Sequence, residues 1–255
     1  MVQQMNVLTE FILTSTANLF ELTLGIDTLK DCHDANHYRR YPKNVIYSYN
    51  TFGYRDEEWP ADLTNSIWCV GDSFTVGLGQ PYEETWPKLV SKQTGKKTIN
   101  VSMNGASNDW IARRVQAIID NFSSPIILIQ WSYCHRRENK DITLTDESRR
   151  IHFVDPIGVR EKFADVQQLD KLNCIANILN IKSQESTQIV HSFVPKFARP
   201  DDAEFIYDEL TKHNINFFPE QPQIDLARDG YHYDILTASN YANLYISNLK
   251  MQNII

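Results

Sequence analysis

A short apolar run that stops at a glycine, followed by a helix-forming stretch and repeated along the chain, constrains a fold more than any other pattern. Strands buried on both faces cannot alternate apolar with polar residues, so such runs specify a parallel sheet covered by helices. Ser66–Val70 (SIWCV) is such a run and ends at Gly71; Lys97–Met103 (KTINVSM), Pro125–Ser132 (PIILIQWS) and Thr187–Val194 (TQIVHSFV) repeat it. A weaker fifth strand is expected at Ile215–Pro219. Between these runs, Ile111, Val115, Ile118, Ile119 and Phe122 recur at helical spacing, with Ser107 or Asn108 as the cap. A longer helix is expected over Arg160–Lys182, and Ala238, Tyr241, Ala242, Tyr245 and Leu249 mark the last one. Residues 133–159 read as an insertion.

With 255 residues, 42% of them hydrophobic and 22% charged, the chain is long enough for one α/β domain with a sizeable core. Residues 61–255 are expected to form it, and residues 1–60 an N-terminal extension packed on it. The net charge of −7 argues against a nucleic-acid partner, and the absence of any apolar run of 18 residues argues against a membrane span. The opening residues have no basic segment followed by an apolar one, so a cytoplasmic protein is expected; a phage particle is the other location considered. Cys32, Cys69, Cys134 and Cys174 form no CxxC pair and are expected to be reduced thiols. Composition sets no oligomeric state.

Three stretches carry candidate chemistry, each expected after a strand and so at the carboxyl edge of the sheet, where open α/β folds bind ligands. In WCVGDSFTVGLG, Ser73 follows the first strand directly; the bland reading is a helix capped by Asp72 or Ser73. In DLARDGYHYD, Asp229 and His232 lie three apart. That spacing lets a carboxylate hold one imidazole nitrogen while the other faces away, as a general base requires, although a capped turn reads the same. In NVSMNGASNDW, Gly105 offers an unshielded N–H in a loop, or simply a turn.

The order Ser, Gly, then Asp and His resembles the SGNH hydrolases, also called the GDSL esterases and lipases. GDSFT resembles their first block, NGASND their second and DGYH their last, over roughly residues 66–250. No single block is specific: a Gly-Asp-Ser tripeptide alone would occur by chance in about 7% of chains this long. The resemblance implies a three-layer α/β/α, flavodoxin-like domain with Ser73 as nucleophile, His232 as base and Asp229 as orienter. It also implies an oxyanion hole that includes the N–H groups of Ser73 and Gly105. The family's third block, Gly-x-Asn-Asp, supplies a further donor from its Asn, whereas this chain reads IQWSYCHRRE there, with Ser132 nearest the Asn position. Losing one such donor typically costs about 2.7–4 kcal/mol, or 10²–10³ in rate. Ser132, Asn104, Asn108 and Arg136 are the candidate replacements, and Asn108 and Arg136 are also candidate substrate contacts.

The implied reaction is hydrolysis of a small acyl ester, such as an O-acetyl group on a carbohydrate, with no metal or organic cofactor and with activity that falls as acid protonates His232. The alternatives are an O-acyltransferase using the same triad and a non-catalytic carbohydrate-binding module. Cys32, His33, Asp34 and His37 have no third fixed metal ligand and read as a polar loop. Cys134 beside His135 reads as a buried filler thiol, not a nucleophile. The aromatic and basic stretch from Tyr38 to Arg55 is expected to pack its rings on the core with its Arg heads in solvent, a sugar-binding role being the rival. Arg137 and Glu138 are expected near the site as a solvated pair with Arg136 or as a substrate contact.

Overall fold

The computed structural model describes residues 26–27, 45–136, 163–183 and 186–255. Two short strands, β1 (Ile26–Asp27) and β2 (Val45–Ile46), pair antiparallel. The four apolar runs become β3 (Ile67–Val70), β4 (Thr98–Asn100), β5 (Ile126–Trp131) and β6 (Gln188–Phe193). They form one parallel sheet in the order β4-β3-β5-β6. Every residue of β3 and β4 is buried, which requires cover on both faces of the sheet.

Helices supply that cover in two groups. After the single-turn helix α1 (Ser73–Val76) come α2 (Trp86–Thr94), α3 (Asn108–Asn121), α4 (Phe163–Leu179), α5 (Pro200–Lys212) and α6 (Ile235–Met251). Helix α6 packs on α2, where Trp86 stacks on Tyr245 at 4.6 Å, while α4 packs on both α3 and α5. The result is the expected three-layer α/β/α arrangement. All five tryptophans of the chain lie in its core. Helix α3 starts where the pattern puts it, the Ser107 side chain accepting from the Trp110 N–H.

Three expectations need revision. The fifth strand shrinks to one parallel bridge, Phe217 to His191: the next ladder donor, the Glu220 N–H, goes to Tyr207 Oη instead, and the Phe193 carbonyl accepts from the Tyr241 hydroxyl. Helix α4 ends at Leu179, short of Lys182, and residues 160–162 lie outside the described residues, as does the insertion from 137 on. Arg55 is buried, not solvated: its guanidinium donates to the carbonyls of Val76, Gly77 and Gln80. Those carbonyls lie at the end of α1 and just beyond it, where a cation complements the exposed C=O groups of a helix end. Tyr54 and Trp59 join the core beside it, so the described part of the N-terminal segment is built into the domain.

Cys69, Cys134 and Cys174 are free thiols, two of them buried. Cys32, His33, Asp34, His37 and the stretch from Tyr38 to Lys43 lie outside the described residues, as do Arg137 and Glu138. No helix among the described residues is long and apolar enough to cross a membrane, and no group of three metal-ligating side chains occurs among them.

Candidate active site

Strand β3 has β4 on one side and β5 on the other, so the winding of the chain changes direction around it. In open α/β sheets this change opens a crevice at the carboxyl ends of the strands. The chain enters it from β3 through Gly71 and Asp72 into α1. Asp72 caps that helix, its Oδ1 accepting from the Phe74 N–H at 3.0 Å, which leaves Ser73 as the first helical residue. A first-turn N–H has no partner within its helix, and the Ser73 amide makes no hydrogen bond among the described residues.

The loop before α6 brings the other two groups. Asp229 Oδ1 accepts from the backbone N–H groups of Tyr231 and His232 at 2.9 and 3.0 Å, a side-chain turn that folds His232 back over the aspartate. Asp229 Oδ2 then accepts from His232 Nδ1 at 2.5 Å, and His232 Nε2 lies 2.8 Å from Ser73 Oγ. A carboxylate can only accept, so Nδ1 carries the ring hydrogen and Nε2 is left to receive the hydroxyl proton of Ser73. Burial raises the Asp229 pKa, but the hydrogen bond and charge of His232 and the two backbone donors outweigh it, and the carboxyl is held below its ordinary value. Ser73 and His232 are buried, and the Phe74 ring packs edge-on against the imidazole at 4.6 Å.

Beneath them sits Gln130, fully buried at the end of β5. Its carbonyl oxygen accepts from Thr75 Oγ1 at 3.0 Å, Tyr233 Oη at 3.1 Å and Trp86 Nε1 at 3.3 Å. Indole nitrogen only donates, which fixes the orientation of this amide. Gln130 thus ties the residue two after the nucleophile to the residue after the base. Gly79 makes another tie: its carbonyl accepts from the Arg228 N–H at 3.0 Å, at φ 75°, and an added Cβ would stand 3.0 Å from Asp229 Cγ.

Gly105 lies in the loop after β4, at φ 74°, a left-handed conformation that favours glycine. Its amide, like that of Ser73, makes no hydrogen bond among the described residues. The Met103 N–H donates to the Gly71 carbonyl at 3.1 Å, which holds this loop against the turn that carries Ser73.

Of the other candidate residues, Asn104 lies in the loop after β4 beside Gly105, Asn108 opens α3, and Ser132 and Arg136 lie in the loop after β5. Asn108 is fully buried, with its Oδ1 accepting from the Ser132 N–H at 2.9 Å and its Nδ2 donating to the Ser132 and Tyr133 carbonyls. It clamps the loop after β5 and presents no free amide to a substrate. The Ser132 hydroxyl donates to Asp72 Oδ2 at 2.5 Å, so its proton is already engaged. Arg136 Nη1 also reaches Asp72 Oδ2, at 2.9 Å, and donates to Ser132 Oγ at 3.1 Å.

Sequence reasoning missed Asp72 as an ion-pair partner, Gln130, and the pair Tyr133 and Tyr231, whose hydroxyls lie 2.9 Å apart beside His232. Partners 64 and 98 positions apart leave no periodic signal; adjacency to Ser73 and His232 was the only available hint for Asp72 and Tyr231.

No protein-family model and no curated protein matches the chain. Solved structures do. A carbohydrate esterase family 2 enzyme with a carbohydrate-binding domain, from Corynascus thermopiles (Myceliophthora fergusii), superposes with a TM-score of 0.50 at 13% identity, covering 78% of this chain and 69% of that one. TesA gives 0.44 at 16% identity over 72% of this chain and 98% of its own. The psychrotrophic esterase EstA from Pseudoalteromonas sp. gives 0.45 at 16% identity over 74% and 98%. At 13% identity the likeness to the family 2 enzyme concerns the fold alone.

Proposed function

We propose that the protein is a serine esterase that hydrolyses small acyl esters with Ser73 as nucleophile, His232 as general base and Asp229 as the group that orients it. The observation that carries this reading is the unbroken hydrogen-bond chain from Ser73 Oγ through both nitrogens of His232 to Asp229, at 2.8 and 2.5 Å. The three residues come from loops 159 positions apart, at the carboxyl edge of the sheet. A merely structural serine does not require this polarised arrangement.

In the first half-reaction the Ser73 oxygen attacks the ester carbonyl while its proton passes to His232 Nε2, and the carbonyl π pair moves onto the oxygen. The Ser73 and Gly105 amides are the first donors to that oxyanion. Collapse of the tetrahedral species expels the alcohol, which takes the proton back from His232. Water activated by the same imidazole then releases the acid. No step calls on a metal or an organic cofactor.

The substrate class follows from the resemblance in sequence and from the rim of the site. Tyr231 is 54% exposed next to His232, and Tyr133 faces it across a hydroxyl contact. An exposed ring with a polar tip suits the apolar faces and hydroxyls of a sugar, and a carbohydrate esterase shares this fold. An acylated carbohydrate, an O-acetyl sugar in particular, is therefore the proposed substrate. Hydrolysis of p-nitrophenyl acetate by the wild type, and its loss in Ser73→Ala, tests the reaction; no turnover by the wild type, or equal turnover by the variant, contradicts it.

A further inference from the structure

Two of the four candidate replacements for the missing oxyanion donor are already committed elsewhere. Ser132, nearest the position of the missing Asn, spends its proton on Asp72, and Asn108 spends its amide on the loop backbone. Asp72 adds a difficulty: it is a fully buried carboxylate one residue from the nucleophile. An unneutralised negative charge there would oppose the second negative charge that develops when Ser73 attacks.

Arg136 answers both problems. Its Nη1 pairs with Asp72 Oδ2 at 2.9 Å, and its guanidinium lies over the Tyr133 ring, Cζ 5.0 Å from the centroid. One nitrogen pinned and one face stacked fix the plane of the group. A guanidinium has five N–H donors in a rigid fork, and Nε and Nη2 make no hydrogen bond among the described residues. The side chain is 17% exposed. The Arg136 carbonyl also accepts from the Asn108 N–H at 3.4 Å, three residues from Gly105. Arg136 thus stands where the loops that carry Ser73 and Gly105 meet the loop after β5.

We infer that Arg136 is a catalytic residue: its other guanidinium edge, Nε and Nη2, donates to the oxyanion in place of the absent third-block Asn, while its Nη1 neutralises Asp72. The inference rests on the esterase reading. It replaces a neutral amide donor with a charge-assisted one that strengthens as the carbonyl oxygen becomes negative, so it acts on kcat and not on ground-state binding.

Arg136→Lys keeps a cation for Asp72 but cannot supply the fork. With p-nitrophenyl acetate, this variant is expected to lose about 10²–10³-fold in kcat at little-changed KM and thermal midpoint, and to form a phosphonate adduct on Ser73 proportionately more slowly. Unchanged kcat, or a rise in KM alone, overturns the inference. The double substitution Asp72→Asn with Arg136→Gln buries no unpaired charge and should show the same kcat loss. Independently of any variant's folding, the guanidinium NMR resonances of Arg136 in the wild type should shift when Ser73 is phosphonylated. Resonances that stay in place overturn the inference. A wild type that neither turns over nor forms the adduct fails the esterase reading itself, a distinguishable result.

Discussion

At the scale of single residues, the account rests on how few orientations the side chains are left. His232 is held in one tautomer by Asp229, whose other oxygen is held by two backbone amides. Asp229→Asn would preserve the shape but present an amide that can hold the wrong tautomer, and kcat should fall by about 10⁴-fold with little change in thermal midpoint. A small loss of activity would mean that the aspartate only shapes the turn. Tyr231 makes a different prediction because its hydroxyl bonds to Tyr133 and not to Ser73, His232 or Asp229. Tyr231→Ala should raise KM for a peracetylated monosaccharide far more than for ethyl acetate, with kcat largely kept; equal effects on both would place the ring outside the sugar site. Much at this scale was legible in the sequence: Ser73 directly after an apolar run, and Asp229 three residues before His232, each have a local chemical logic. The fate of Ser132, Asn108 and Arg136 was not legible, because it depends on Asp72 and on loop backbone more than 20 positions away.

At the scale of elements, the site is held by contacts between loops that are individually short. Gly79 carries one such contact, since a side chain there meets Ala227 Cβ at 2.8 Å as well as Asp229, and its φ of 75° strains any replacement. Gly79→Ala should therefore cost more than about 1 kcal/mol of stability and reduce kcat beyond what the loss of folded protein explains. Chemical denaturation beside active-site titration separates the two effects, and a stable, fully active variant would contradict this placement. The helix that follows Gly105 was predictable because its stripe and its Ser107 cap agree. Helices α2 and α5 were not singled out, although Ala203, Ile206 and Leu210 give α5 a buried stripe at i, i+3 and i+7. Helix α2 is only nine residues long and opens on Trp86-Pro87, which reads as readily as a turn. The fifth strand is shorter than its apolar run suggests because the Glu220 N–H and the Phe193 carbonyl are taken by the hydroxyls of Tyr207 and Tyr241, partners that the run does not reveal.

At the scale of the whole molecule, burial of one histidine should set the response to acid. His191 lies in β6, fully enclosed, with its Nδ1 accepting from Trp131 Nε1 at 3.0 Å and its ring stacked on the indole. Burial pushes its pKa down to about 3, against about 6.5 in an unfolded chain. Between these values the unfolded chain takes up a proton that the folded one refuses, so this contribution to stability is full above about pH 6.5 and is lost as the pH falls toward 3. Asp229, held below its ordinary value, acts in the same direction at lower pH. Urea midpoints measured from pH 7 to pH 4 should fall with acid. His191→Gln, which retains an acceptor for Trp131 but does not titrate, should flatten the fall; an unchanged slope would show that His191 is not the acid-sensitive group.

The central claim is that the hydrogen-bond chain from Asp229 through His232 activates Ser73 and no other nucleophile. The most direct measurement is the intact mass of the protein after incubation with a p-nitrophenyl alkylphosphonate, followed by peptide mapping of any adduct, beside His232→Ala. The account predicts one phosphonyl group per chain, on Ser73, formed at least about 10³-fold more slowly in the variant. A wild type that stays unmodified, or that carries the group elsewhere, would contradict it.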